Sequence, residues 1–302
     1  MELLNSFIAK TLPFIPKPIV GRVSSRYIAG TRLTDAVAAV QKLNAQGMMA
    51  TLDILGEDVH DRDKAEGIRA EWVRVLDEIE NHGLDSNISV KPSQLGFRID
   101  PDFCYGILRS IVQAAHERGN FVRIDMEDST MTTATLAMYR RLRAEGFENV
   151  GVVIQAYLHR SDADVRELVK MKANVRLCKG IYRESPDIAY QDRDEIRRSF
   201  GLLMRVLIES GCYVGIATHD EYLVDKAYEL IQRNKPDRNR YEFQMLLGVR
   251  EQLRSSIVSA GHRLRVYVPY GDQWYAYSVR RLKENPQIAG YVLRALFTGN
   301  NT

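Results

Sequence analysis

The sequence is poor in cysteine: Cys104, Cys178 and Cys212 are its three thiols. The number is odd, no Cys-x-x-Cys pair occurs and no histidine cluster accompanies them. A disulfide framework and a zinc site are therefore excluded as expectations, and a reducing compartment is the simplest reading. Net charge is scarce as well. The 42 basic and 39 acidic side chains leave a formal +3, too small and too dispersed for a nucleic-acid partner. No apolar run approaches the roughly 18 residues needed to span a bilayer. Walker loops, Gly-x-Ser-x-Gly elbows and His-Glu-x-x-His helices are all missing, so nucleophilic and metal-assisted hydrolysis have no motif, and no metal is expected. The start, MELLNSFIAKTLPFIPKP, lacks a basic n-region and a small-residue cleavage site, so it does not read as a signal peptide. Leu3, Leu4, Phe7 and Ile8 recur at helical spacing, which reads as a short capping helix, an interfacial anchor being the alternative. A cytoplasmic location follows as the expectation, with at most a peripheral contact at the inner face of the membrane.

No Gly/Ser linker or low-complexity stretch divides the chain, so residues 1–302 are expected to form one domain, with an N-terminal helical segment over 1–46 and a barrel with final helices over 47–302. What is present is a repeated unit of β-branched run, turn and helix-patterned stretch. The runs MMATLDIL, NISVKP, FVRIDME, VGVVIQAY, NVRLCKG, CYVGIATH, YEFQML and LRVYVPYG make eight. Strands alternating with helices imply parallel βαβ units, and eight of them in about 250 residues predict a (β/α)8 TIM-type barrel. An open doubly wound sheet would want a glycine-rich turn after the first strand, where this chain has LGEDVHD.

Alternation within these runs separates two faces. Ser89 and Lys91 oppose Ile88 and Val90; Arg123 and Asp125 oppose Val122, Ile124 and Met126; Val153 and Gln155 oppose Val152 and Ile154. Arg176 and Cys178 oppose Val175 and Leu177, Glu242 and Gln244 oppose Phe243 and Met245, and Arg265 and Tyr267 oppose Val266 and Val268. The apolar face suits the surrounding helices, which leaves an interior far more polar than the branched aliphatic filling usual in barrels. Buried charges must pair with each other or with a ligand. An internal ion-pair network is one reading and a site the other. Lys91, Asp125, Gln155 and Arg176 lie near the C-terminal strand ends, where barrel enzymes place their chemistry.

After the eighth run, WYAYSVRRLKEN predicts a helix from Trp274 to Asn285 across the barrel mouth, ending before Pro286. Tyr277, Arg281 and Glu284 share one face, with Arg280 alongside. Such a face is ordinarily solvated; two guanidinium groups could also clamp one carboxylate. His219 and Lys179-Gly180 are weaker signals: a capping histidine, and a turn able to cradle phosphate.

Taken in order, TLDILGE (51–57), SVKPSQLG (89–96), RIDMED (123–128), VIQAYL (153–158), RLCKGIYRE (176–184), ATHD (217–220), EFQMLLG (242–248), RVYVPYG (265–271) and YSVRRLKENP (277–286) resemble the proline dehydrogenase family in its single-function bacterial form. The resemblance covers about Tyr27 to Pro286, and its most specific part is Tyr-x-x-Arg-Arg-x-x-Glu. It implies FAD-dependent oxidation of L-proline to Δ1-pyrroline-5-carboxylate, with non-covalent flavin over the strand ends, a quinone as electron acceptor and a pyrroline-5-carboxylate dehydrogenase as candidate partner. By the same resemblance Arg176 lies beside flavin N5, while Gln155, Met126, Cys178, Lys179 and Gly180 contribute further flavin contacts and Thr218 and His219 meet the phosphate and adenosine portion. Lys91, Arg280 and Arg281 match the groups around the substrate carboxylate. Tyr267, Tyr277 and Leu246 shape the proline pocket, and Asp125 and Glu284 orient the cations. Ile181 and Arg183 depart from the family's common choices near the flavin. Two rival readings are a folate-linked flavin reductase, which lacks the paired-arginine helix, and a non-catalytic proline sensor. Yellow protein that bleaches with L-proline discriminates against both.

Overall fold

The structure, a computed structural model, describes residues 26–56, 58–275, 277 and 278. After α1 (Leu33–Asn44) the chain alternates strand and helix: β1 (Met49–Ile54), α2 (Arg62–Asn81), β2 (Ser86–Val90), α3 (Pro101–Glu117), β3 (Val122–Ile124), α4 (Ser129–Ala144), β4 (Val150–Gln155) and α5 (Ser161–Lys170). It continues through β5 (Asn174–Cys178), α6 (Arg193–Glu209), β6 (Tyr213–Ala217), α7 (Glu221–Asn234), β7 (Tyr241–Leu246), α8 (Glu251–Ser259) and β8 (Leu264–Tyr270). The strands are parallel and close in sequence order, with β8 returning to β1 from Met49–Arg265 to Ile54–Tyr270. This is the expected (β/α)8 barrel. Among the described residues no helix is long and apolar enough to cross a membrane.

The helices begin where local chemistry dictates. Asp61, Asp100, Asp128, Asp192 and Asp220 each precede a helix and accept from the first-turn amides of α2, α3, α4, α6 and α7. An aspartate there satisfies orphan N–H groups and meets the positive end of the helix dipole. Pro101 follows its cap, at the position where a missing N–H costs nothing. The outward strand residues Ile88, Val90, Val122, Ile124, Val152, Val175, Leu177, Val214, Ile216, Val266 and Val268 are fully covered by the helix ring, and each such side chain withdraws about 1.5–3 kcal/mol of apolar surface from water. Trp72, Tyr139 and Phe147 are buried in the same core.

The inward face is mostly polar. At its N-terminal end, Arg265 Nε donates to Glu242 Oε1 at 2.8 Å and its Nη1 to the Ala50 carbonyl at 2.6 Å. Arg123 donates to the Val152 and Asn174 carbonyls at 3.0 and 2.7 Å, with no carboxylate in ion-pair reach among the described residues. Burial without an acid partner pushes its guanidinium down to about 9, and the Arg176 charge acts in the same direction. An internal ionic network therefore exists, and it runs on into the mouth.

Candidate active site

Two backbone features place the central charges. Lys91 stands just beyond β2 in an extended conformation (φ −107°, ψ 124°), as a residue before proline must. Asp125 lies just beyond β3, its amide still donating to the Val90 carbonyl at 2.9 Å, so the ladder aims its side chain inward. The Asp125 carboxylate is the hub. Its Oδ1 accepts from Ser89 Oγ and Arg176 Nη1, both at 2.6 Å, and its Oδ2 accepts from Tyr267 Oη at 2.9 Å, with Lys91 Nζ at 3.8 Å. Lys91 Nζ also donates to Asp53 Oδ1, and to Tyr267 Oη at 3.4 Å. The Arg176 guanidinium carbon lies 5.3 Å from the Tyr267 ring centroid.

Asp53 was not among the expected site residues. Its signal was legible in TLDI, where Thr51 and Asp53 alternate with Leu52 and Ile54 on β1. Ser89 and Gln244 were read as inward but given no role. Burial raises the Asp53 carboxyl above the usual aspartate range, opposed by Lys91 and reinforced by Asp125. Burial alone would lower the Lys91 ammonium, but Asp53, Asp125 and Glu127 together hold it above the usual lysine range, so it stays cationic. Tyr267 is driven well up by burial and by the two aspartates, which keeps its hydroxyl a donor. Burial pushes the Cys178 thiol up to about 12, which leaves no thiolate for nucleophilic chemistry.

Above the hub opens a cleft of about 270 Å³, lined by Lys91, Asp53, Asp125, Tyr267, Arg176 and Gln155, and by Met126, Cys178, Lys179, Gly180, His219, Leu246 and Tyr277. Met126, assigned from strand parity to the helix-facing side, follows the end of β3 at Ile124; it belongs to the hydrophobic core and also borders the cleft. Gln155 donates to the Glu127 carbonyl at 3.3 Å, and its buried Oε1 has no partner among the described residues. Gly180, at φ +110°, passes so close to the Tyr157 ring that a Cβ would collide with it, so glycine there permits tight loop packing at the rim. The helix expected over Trp274–Asn285 is described at Trp274, Tyr275, Tyr277 and Ser278. Arg280, Arg281 and Glu284 lie outside the described residues.

The rim carries a second cluster. Asp220 takes two bonds from Arg197, both at 2.8 Å, and one from Lys179 at 2.5 Å, while its amide donates to Thr218 Oγ1 at 3.1 Å. His219 Nε2 accepts from the Leu246 amide at 2.9 Å, stapling the β6–α7 turn to the end of β7. Burial would raise the Asp220 carboxyl, but the bonds from Arg197 and Lys179 outweigh it and hold it below the usual aspartate range. Asp220→Ala is expected to lose about 2–3 kcal/mol, a helix cap plus charge-assisted bonds. Because the native carboxyl is depressed, this contribution is complete above about pH 4, the unfolded aspartate value, and fades as pH falls further. Denaturation of wild type and variant across pH 2–7 checks it; a stability gap that does not narrow in acid sinks the assignment.

Comparisons with known proteins agree with this architecture. The family model described as proline dehydrogenase matches residues 36–294. Proline dehydrogenase 1 of Bacillus subtilis strain 168 is 35% identical over 288 residues, 95% of each chain. Proline dehydrogenase of Deinococcus radiodurans is 34% identical over 281 residues, covering 92% of this chain and 91% of its own. Among solved structures, proline utilization A from Bdellovibrio bacteriovorus superposes with a TM-score of 0.82 at 25% identity, over 93% of this chain and 34% of that one. This chain thus spans about a third of that larger protein. With a family match over most of its length and similar relatives spanned almost end to end, the chain is an enzyme of the proline dehydrogenase family.

Proposed function

We propose that the enzyme oxidises L-proline to Δ1-pyrroline-5-carboxylate with non-covalently bound FAD, the first step of proline catabolism, and passes the electrons to a quinone. The observation that carries this reading is the buried set at the mouth, in which Lys91 and Arg176 are held by Asp53 and Asp125 with Tyr267 between them. The cleft's donor set suits a flavin. The partnerless Gln155 Oε1 is an acceptor for a ring imide N–H, Arg176 supplies donors, and Val153, Met126 and Leu246 give apolar contact. Lys179 and Gly180, with Thr218 and His219, would hold the phosphate and adenosine portion of the cofactor. FAD, when bound, supplies the hydride acceptor at its N5. The protein's own task is positioning, which is where the rate of a hydride transfer is won. Lys91 meets the substrate carboxylate, together with Arg280 and Arg281. Asp125 and Asp53 fix the cations, and Glu284 is assigned the task of orienting the paired arginines. Tyr267, Tyr277 and Leu246 enclose the ring.

The chain as a whole is read as one proline dehydrogenase domain, cytoplasmic and peripheral to the inner face of the membrane where quinone is available. A pyrroline-5-carboxylate dehydrogenase is the partner suited to its product. The test is anaerobic: purified protein is expected to be yellow, and L-proline, but not a panel of other amino acids, to bleach it. Colourless protein that takes up no FAD, or yellow protein that proline leaves oxidised, overturns the reading.

Tyr267 gives a sharper test. Its ring lines the cleft while its hydroxyl is tied to Asp125, so it forms a rigid wall. Tyr267→Ser is expected to lower the preference for proline over 4-hydroxyproline about tenfold, because a fitted wall rejects added volume. The measurement is kcat/KM for both substrates, and equal losses would make the tyrosine packing alone.

A further inference from the structure

The Arg176 guanidinium is held from two sides. Its Nη1 donates to Asp125 Oδ1 at 2.6 Å and to Ser89 Oγ at 3.0 Å at the mouth. Its Nε donates to Gln244 Oε1 at 2.6 Å. Gln244 Nε2 in turn donates to Glu242 Oε1, also at 2.6 Å, and the same oxygen accepts from Arg265 Nε at 2.8 Å. Glu242 and Gln244 are successive inward residues of β7, and all four residues of the set are buried. The column Arg176–Gln244–Glu242–Arg265 therefore joins the mouth to the ion pair at the N-terminal end of the barrel.

The middle of this column needs a group that both donates and accepts, which the Gln244 amide supplies. A carboxylate accepts and never donates, so Gln244 must turn its nitrogen toward Glu242; a guanidinium donates and never accepts, so Gln244 must turn its oxygen toward Arg176. The two charged neighbours fix the amide's orientation without ambiguity. Burial would raise the Glu242 carboxyl, but Arg265 and the hydrogen bonds around it hold it below the usual range, so it remains the ionised acceptor that the arrangement requires. Space is provided from the facing strand. Gly215 on β6 pairs with Glu242, and a Cβ there would stand 2.5 Å from Gln244 Nε2.

We infer that Gln244 is a positioning residue, which acts on the flavin through Arg176 by fixing the angle at which the guanidinium is presented to the cleft. This rests on the flavin reading above. The test is a cycle of Gln244→Met, Arg176→Met and the double variant, read as the FAD dissociation constant from titration of apoprotein and as the midpoint potential of the bound flavin. Gln244→Met is expected to weaken FAD binding about tenfold in the wild-type background, the scale of one lost hydrogen bond to a charged group. In the Arg176→Met background it is expected to change binding less than about twofold, because the group it acts through is gone. An equal loss in both backgrounds, or none in the wild type, overturns the inference. Should Gln244→Met fail to fold, Gly215→Ala displaces the same amide from the facing strand; unchanged FAD affinity in that variant overturns the inference equally. Wild-type protein that takes up no FAD overturns the functional reading itself, whereas wild-type uptake with indifferent variants overturns this inference alone.

Discussion

Asp125→Ala is expected to slow flavin reduction by L-proline at least about a hundredfold, an effect of the size that follows when a buried ion pair loses one partner, about 3–5 kcal/mol. One carboxylate holds Ser89, Arg176 and Tyr267 by direct bonds and stands 3.8 Å from Lys91. Its removal frees the Arg176 guanidinium on the mouth side, releases the Tyr267 hydroxyl and takes from Lys91 one of the acids that keep it cationic. Asp125→Asn keeps the shape while losing the charge, and its amide must place a donor against either Arg176 or Tyr267, so it should recover only part of the rate. Anaerobic stopped-flow bleaching, with FAD content and thermal melting measured in parallel, separates chemistry from folding. If the alanine variant bleaches at the wild-type rate, Asp125 serves the fold alone.

Glu242→Leu is expected to destabilise the protein by about 3–5 kcal/mol, because it strands Arg265 as an unpaired buried cation. The arginine is 8% exposed and the glutamate 2%, so the pair is largely shielded from bulk water. The double variant Glu242→Leu/Arg265→Leu is expected to recover most of that loss, since apolar residues of similar volume replace a buried pair at little net cost. Chemical denaturation of the single and double variants measures both numbers. A double variant no more stable than the single would show that the pair is needed for more than mutual neutralisation. These two variants probe opposite ends of one polar column, the first at the mouth where rate should suffer most, the second at the base where stability should.

Most of the barrel was legible before folding was considered. The spacing of the β-branched runs marked all eight strands, and the period of two in RIDME, RLC, EFQM and RVY marked which side chains face inward, because side-chain direction in a strand is a property of the backbone alone. Element ends were less legible. Parity carried past Ile124 placed Met126 with the helix-facing set; the strand stops at Ile124, and Met126 belongs to the hydrophobic core while also bordering the cleft.

Partnership was the part that no local pattern could contain. Asp53 lies 38 residues from Lys91, and Arg176 lies 51 from Asp125 and 68 from Gln244. Which of several inward acids meets which inward cation depends on the stagger of the strands as the sheet closes, and closure is a collective property of eight registers. The same holds for Asp220, which caps α7 and which folding also brings against Lys179 and Arg197. The sequence by itself thus determined a barrel with a charged interior opening at its C-terminal end, since alternation and strand count are local. Only the tertiary structure decided that Asp125 would be the hub and Gln244 the bridge, since a buried charge finds its counter-charge across the barrel and not along the strand.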